Sequence, residues 1–185
     1  MLILTTVSPE PKGGHVPAAA KKHKAKDKII KSRRTLVGIL EGLRSQGKTI
    51  VLTNGCFDIL HVGHIRSLED ARSRGDFLVV ALNEDETVTK LKGKGFPINP
   101  VEERMEILAG LTSVDYVCAF AEETADALIK ALKPGLYAKG TDYTERSVPE
   151  AATVKEIGAK VVIVGDKKNH SSSKVVEKIR KRKFD

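Results

Sequence analysis

Thr53-Asn54-Gly55-Cys56-Phe57-Asp58-Ile59-Leu60-His61-Val62-Gly63-His64 lies where a short apolar run gives way to a helical pattern. Ahead of it, Thr49-Ile50-Val51-Leu52-Thr53 is β-branched and continuously apolar, as expected of a strand buried on both faces of a parallel sheet. The strand is expected to end near Thr53, with Asn54 and Gly55 making a turn. From Val62 onward Ile65, Leu68 and Ala71 recur at helical spacing with Arg66, Glu69, Asp70 and Arg72 opposite, which puts both histidines at the start of a helix. The first N–H groups of a helix have no partner inside it and point, with the positive end of the dipole, at any anion placed there. Gly63 leaves that opening uncovered, and His61 and His64, three apart, share one side of the first turn. An imidazole donates through one nitrogen when neutral and through two when charged. A single histidine here would read as an ordinary cap or surface residue; a pair flanking glycine after a strand and turn reads as a place for phosphoryl oxygens.

The 185 residues suffice for one domain with a sizeable core and are too few for two full ones. The net charge of +8 resembles a nucleic-acid signal until it is divided along the chain: residues 1–34 carry nine basic and two acidic groups, 35–165 fifteen and nineteen, and 166–185 eight and three. The excess lies at the ends. The central part is mildly acidic and has no basic stripe interleaved with aromatics, so a nucleic-acid partner is not expected. No run is long enough to cross a bilayer and Met1–Val7 has no basic residues ahead of it, so no membrane association is expected and residence is read as cytoplasmic. Cys56 and Cys118 form neither a disulfide framework nor a zinc spacing, and Cys56 reads as a small apolar residue against the turn rather than a nucleophile.

Residues 1–32 are read as a basic N-terminal arm, because residues 8–28 hold three prolines and two glycines among alanines and lysines and too little apolar content to fold; residues 33–185 form the domain. Within it, Leu36, Val37, Leu40 and Leu43 mark a helix ending at Gly47. Buried strands are expected at 77–82, 114–118, 136–138 and 161–164, with helices at 62–73, 101–109, 123–132, 148–157 and 173–182. Asn83-Glu84-Asp85-Glu86 is read as loop. This alternation is α/β, a parallel sheet covered on both faces by right-handed crossovers. No Gly-x-Gly-x-x-Gly follows the first strand and no Walker P-loop is present, so the histidine pair takes the phosphate-handling place.

Three further clusters fit that chemistry. Lys90, Lys92 and Lys94 alternate with Leu91, Gly93 and Gly95 in what reads as a basic loop able to close on a ligand. Lys139, Gly140, Asp142 and Tyr143 end the fourth strand at the edge where parallel sheets bind ligands, Gly140 allowing close approach, Asp142 accepting from an amino or hydroxyl group and Tyr143 packing beside a ring. Ser171, Ser172 and Ser173 supply a helix cap with exposed N–H groups. Arg104, beside Glu103, is either a surface ion-pair partner or a site residue.

The segment Thr53–His64 resembles the signature of the cytidylyltransferase-like nucleotidyltransferases, whose common element is His-x-Gly-His, and more narrowly the adenylyltransferases that act on heptose 1-phosphate. The likeness continues through Leu91-Lys92-Gly93, Pro97-Ile98-Asn99-Pro100, Glu103-Arg104 and Lys139-Gly140-Thr141-Asp142-Tyr143 to Ser171-Ser172-Ser173, departing from the pattern at Asn169-His170, where a glycine-containing lead-in is usual. The resemblance implies a three-layer α/β/α Rossmann-like fold with a five-stranded sheet in the order 3-2-1-4-5. It implies transfer of AMP from ATP to a sugar 1-phosphate, with D-glycero-β-D-manno-heptose 1-phosphate as acceptor and ADP-heptose and pyrophosphate as products. CTP with glycerol 3-phosphate or another polyol phosphate is the alternative. His61, His64, Lys90, Lys92 and Arg104 are then expected at the reaction centre, and Thr53, Asn54, Gly55, Cys56, Phe57, Asp58 and Gly63 around the nucleotide. The hydroxyl or N–H of Thr53 would reach the same oxygens, Asp58 would orient the turn or the acceptor, the serines would clamp the triphosphate, and His170 is a candidate third contact. Mg2+ is expected, held mainly by nucleotide phosphates, with no protein ligand named; a homo-oligomer, a dimer foremost, is implied as well.

Overall fold

The computed structural model describes residues 24–167 and 170–182; most of the expected basic arm, and Lys168 and Asn169, lie outside the described residues. The chain runs α1 (Arg33–Ser45), β1 (Ile50–Gly55), α2 (Val62–Ser73), β2 (Phe77–Asn83), α3 (Asp85–Lys92), α4 (Val101–Ala109), β3 (Tyr116–Phe120), α5 (Asp126–Leu132), β4 (Leu136–Gly140), α6 (Ala151–Glu156), β5 (Lys160–Val164) and α7 (Ser172–Lys181). All strand pairs are parallel and the order is β3-β2-β1-β4-β5, as the family resemblance implied.

Alternation along the strands builds the layers, because successive side chains point to opposite faces. Ile50 and Leu52 of β1 with Val79 and Ala81 of β2 join Leu36, Leu40, Leu128, Ile129 and Val154 from α1, α5 and α6 in one core. Val51 with Leu78, Val80 and Leu82 joins Leu68, Ala71, Met105 and Leu108 from α2 and α4 in the other. Each fully buried Leu or Val contributes about 1.5–3 kcal/mol, and both faces of β1 and β2 are covered, which is why these strands read as unbroken apolar runs.

Several boundaries differ from the expectation by a few residues, and three of the differences bear on the site or on the arm. β1 continues through Asn54 and Gly55, which pair with Ala81 and Leu82 of β2, so the turn begins at Cys56. The segment expected to be loop after β2 is helix α3: Glu84 caps it, Asp85 and Glu86 occupy its first turn, and Thr87 and Val88 turn inward. Acidic groups in the first turn and Lys90 and Lys92 in the last complement the helix dipole. Lys90 and Lys92 thus stand on a helix end, and only Lys94 remains in loop, between Gly93 and Gly95, both at positive φ. Finally, residues 24–32 of the expected arm pack on the body: Ala25–Lys28 forms a 3-10 turn, the Ile30 N–H donates to Val117 O at 2.8 Å, and Lys28 Nζ donates to Leu111 O at 2.8 Å.

The chain crosses from β1 to β2 and β3 on one side and returns to β4 and β5 on the other, so β1 and β4 flank the switch point at whose carboxyl end such sheets bind ligands. One close contact fixes the far wall of that opening. Gly165, just after β5, has φ +85°, donates its N–H to Asp70 Oδ2 at 2.9 Å, and an added Cβ would stand 2.2 Å from Ser67 Oγ on α2. Gly165→Ala is therefore expected to destabilise the fold by about 1–3 kcal/mol, measured by urea unfolding; a midpoint equal to that of the parent would contradict this packing.

Candidate active site

A cavity of about 640 Å³ opens over the carboxyl ends of β1 and β4. The turn that leads from β1 to α2 forms its floor, and three devices hold that turn. Phe57 adopts φ +44°, a left-handed conformation that costs a non-glycine residue about 1–3 kcal/mol. Its ring folds over Gly55, where a Cβ would meet it at 3.2 Å, and lies 5.5 Å from the His64 ring. Asp58, almost wholly buried, accepts from the N–H groups of Ile98 and Asn99 at 2.8 and 2.9 Å, so its carboxylate joins the turn to the segment ahead of α4.

The third device is Arg104. It had been expected to reach the reaction centre, but it is fully buried and lies behind the turn rather than on the cavity wall. Its Nε donates to Asn99 O at 3.0 Å, Nη1 to Cys56 O at 2.6 Å, and Nη2 to Asn83 O and Asp85 Oδ1 at 2.9 and 2.6 Å. One guanidinium thus gathers the ends of β1 and β2, the start of α3 and the lead-in to α4.

On this floor the histidines stand face to face, their ring centroids 3.8 Å apart and the planes at 17°. His61 is the N-cap of α2, and its backbone N–H donates to His64 Nδ1 at 3.3 Å. That bond settles the neutral tautomer of His64: Nδ1 accepts, so the proton resides on Nε2 and is available to a ligand. His61 Nδ1 is buried with no hydrogen-bond partner, and the His170 ring centroid is 6.0 Å away. A Cβ on Gly63 would press on the His61 ring at 3.1 Å, so the glycine is what lets that ring lie over the helix start.

Helix α7 brings a second N-terminus to the same cavity. Ser171 caps it, accepting from Lys174 N at 3.3 Å, and buried Ser172 donates to Ile59 O at 2.8 Å, tying α7 to the histidine turn. Ser171, Ser172 and Ser173 all line the opening. Lys92 lines it too, whereas Lys90 does not; Lys90 stands at the exposed rim, 3.6 Å from Glu123. Thr53 lines the cavity, but its hydroxyl donates across to Ala138 O at 3.0 Å, so its proton is not available to a phosphate as it had been expected to be. Asn54, Gly55, Cys56, Phe57, Gly63, Lys139, Gly140, Asp142 and Tyr143 line the cavity wall as well. Cys56 is a half-buried thiol pushed above its usual pKa by burial, which fits packing rather than nucleophilic duty.

Residues 52–181 match the model of the cytidylyltransferase-like family. The chain belongs to that family. It is 44% identical over 164 residues to the bifunctional protein HldE of Pseudomonas aeruginosa strain LESB58, and 50% identical over 138 residues to the protein of that name from Pseudomonas fluorescens strain Pf0-1. These matches cover 89% and 75% of the chain but 35% and 29% of the relatives, so the chain spans about a third of their length. Among solved structures, the lipopolysaccharide core biosynthesis protein of Thermoplasma volcanium superimposes with a TM-score of 0.56 at 28% identity, covering 66% of this chain and all of that one. Pantoate-beta-alanine ligase of Francisella tularensis shares the fold, with a TM-score of 0.56 at 18% identity over 82% of this chain and 76% of its own.

Membership in this nucleotidyltransferase family gives the polarity of the cavity a meaning. Around α2 and α7 the wall offers N–H donors and cations; around β4, α5 and α6 it offers Glu123, Thr124, Asp142, Tyr143 and Glu150. Glu150 and Ser67 were not found from the sequence. Each lies beside a short helix or inside a helical pattern whose periodicity identifies core positions only.

Their surroundings hold the imidazoles neutral. Burial, then the neighbouring His61, then Lys92 push His64 down from 6.5 to about 4, and burial followed by His170 lowers His61 as well. Because the unfolded chain takes up the proton first, the stabilising contribution of neutral His64 is complete above about pH 6.5 and is lost as pH falls toward about 4. Urea unfolding followed between about pH 7 and pH 5 is therefore expected to show a steeper loss of stability for the parent than for His64→Gln. Parallel profiles would contradict the buried, neutral state of this ring.

Proposed function

We propose that the chain transfers a nucleoside monophosphate, AMP from ATP, to a sugar 1-phosphate of the heptose class and releases pyrophosphate. The observation that carries this reading is the stacked His61–His64 pair set against the N-termini of α2 and α7 at the switch point of the sheet. The likeness to the HldE proteins and to a lipopolysaccharide core biosynthesis protein supports a phosphorylated sugar as acceptor.

In this reading the acceptor's phosphate oxygen forms a bond to the α-phosphorus as the bond from that phosphorus to the bridging α–β oxygen breaks, the electron pair leaving on pyrophosphate. A phosphomonoester is already largely ionised near neutral pH, so no strong general base is required. The chain's work is alignment and charge stabilisation. His64 Nε2–H donates to an α-phosphoryl oxygen, and His61 to the leaving β-phosphate. Both lie where a polyanion would raise the lowered pKa values and let an imidazole take a second proton as negative charge accumulates. Lys92, on the last turn of α3 and near enough to add to the lowering of the His64 pKa by burial, neutralises the acceptor phosphate. Arg104 acts through the turn it holds, as a positioning residue. The N–H groups of α7 and the serines take the β- and γ-phosphates.

Among the described residues no three His, Cys, Asp or Glu side chains converge to hold a metal ion. Asp166 on the cavity wall is held by Arg66 at 2.6 Å. The donor set fits Mg2+ carried in on the triphosphate, where it would neutralise charge on the phosphate oxygens.

A pyrophosphate-release screen of ATP and CTP against heptose 1-phosphate, glycerol 3-phosphate and other sugar phosphates tests the assignment; turnover is expected with ATP and the heptose ester, and turnover with CTP alone would reject it. His64→Ala is expected to lower kcat by roughly 10²–10³-fold, the loss associated with one transition-state donor, with unchanged circular dichroism. A variant of parental kcat would remove His64 from the chemistry.

A further inference from the structure

The wall opposite the histidines contains a buried carboxylate that the transfer step does not use. Glu150 stands at the N-cap position of α6 with only 4% of its surface exposed. It lines the cavity, and its Oε2 is buried without a hydrogen-bond partner. The neighbouring cation is Lys139 at the end of β4, whose Nζ is 3.5 Å from Oε2 in an ion pair too long for a good hydrogen bond. Lys139 is itself 9% exposed and has its pKa lowered by burial, an effect that Glu150 opposes. Nζ donates instead to Asn54 Oδ1 at 2.9 Å, which also accepts the phenol proton of buried Tyr137 at 2.6 Å. The ring faces of Tyr137 and Tyr143 lie 5.1 and 5.4 Å from Nζ.

The carboxylate is ion-paired with Lys139 and adds to burial in pushing the Tyr137 phenol pKa up, but its Oε2 lacks a well-formed hydrogen bond. A buried carboxylate oxygen whose only partner is a long ion pair is incompletely compensated for its lost hydration, and a ligand donor completes it. The donor that matches the surroundings is a hydroxyl: it can accept from the ammonium of Lys139 while donating to Glu150, which polarises both bonds in the same sense. A phosphate would be repelled by Glu150, and an apolar group would leave the carboxylate oxygen as it stands. Asn54, its carbonyl oxygen occupied twice, has only N–H donors to offer a second hydroxyl next to the first. Tyr143, 37% exposed, places its ring beside the same spot.

We propose that Glu150, with Lys139 and Asn54, forms a subsite for the vicinal hydroxyls of a sugar ring, so that the cavity reads phosphate at its histidine end and a diol at its carboxylate end. The inference rests on the transferase reading for its two sources of a diol, the nucleotide's ribose and the acceptor sugar. Glu150 determines specificity by recognition and takes no part in bond making.

Calorimetric titration of the full chain separates these sources without turnover. The probes are ATP, 2′,3′-dideoxy-ATP, inorganic tripolyphosphate and the sugar phosphate with a deoxy counterpart that lacks its vicinal hydroxyls. Glu150→Gln is expected to weaken the diol-bearing probe by roughly ten- to a hundredfold, as loss of a hydrogen bond to a charged group does, and to leave tripolyphosphate affinity unchanged. If ribose is the source, the loss appears with ATP, and the variant no longer distinguishes ATP from the dideoxy form. If the acceptor is the source, it appears with the sugar phosphate alone. Glu150→Asp, which keeps the charge but withdraws the carboxylate, is expected to give the same pattern. Equal loss of tripolyphosphate binding would mean a structural role and overturn the proposal. So would parental affinity for both diol-bearing probes, or a parent protein indifferent to removal of the hydroxyls. Absence of pyrophosphate release with every acceptor would instead defeat the transferase reading, while the binding pattern would still decide Glu150.

Discussion

The site depends on one buried cation. Arg104 has no exposed surface, and its guanidinium accepts the geometry of four protein oxygens contributed by Cys56, Asn83, Asp85 and Asn99. Placing such a charge out of water is unfavourable unless its donors are satisfied, and removing its partners typically costs about 3–5 kcal/mol. That makes the arrangement close to all-or-none. The carbonyl of Cys56 belongs to the turn whose next residue, Phe57, is held at positive φ. The arginine and Asp58, which grips the backbone at 98–99, offset that local strain, and the histidines inherit a rigid base.

Rigidity matters because of what the cavity does with its imidazoles. Stacked rings 3.8 Å apart cannot both be charged at little cost, and burial already opposes charging either. The site itself therefore holds neutral donors, His64 presenting Nε2–H because its Nδ1 accepts from the backbone N–H of His61. A polyanion reverses the balance. Donors fixed before the substrate arrives need no reorganisation as charge accumulates on phosphorus-bound oxygens, which is where electrostatic catalysis gains most. The N-termini of α2 and α7, tied to each other by Ser172 and the Ile59 carbonyl, add fixed partial charge of the same sign.

How much of this could be read from the sequence follows from the range of each interaction. The histidine pair was legible because strand, turn and helix start are all local, and the continuous apolar runs of β1 and β2 announced a sheet covered on both sides. The strand order came from family resemblance and not from periodicity. Helix α3 was missed: Asn83-Glu84-Asp85-Glu86 looked like polar loop, and the following Thr87-Val88-Thr89 is weakly helix-forming. Acidic residues in its first turn and lysines in its last were the available signal. The placement of Arg104 was not legible, since three of its acceptors are backbone carbonyls, two of them 48 and 21 residues away. Nothing in residue identity distinguishes an arginine that touches substrate from one that holds the loop that does. Glu150 was invisible for a related reason: its burial arises from β1, β4 and the loop ahead of α6 meeting in space.

The most direct test of the account is a crystal structure of the protein with a non-hydrolysable ATP analogue. An α-phosphoryl oxygen is expected within about 3 Å of His64 Nε2, with the remaining phosphates against the N-termini of α2 and α7 and the Arg104 contacts unchanged. A triphosphate bound away from both imidazoles, with the β1–α2 turn in the same conformation, would contradict it.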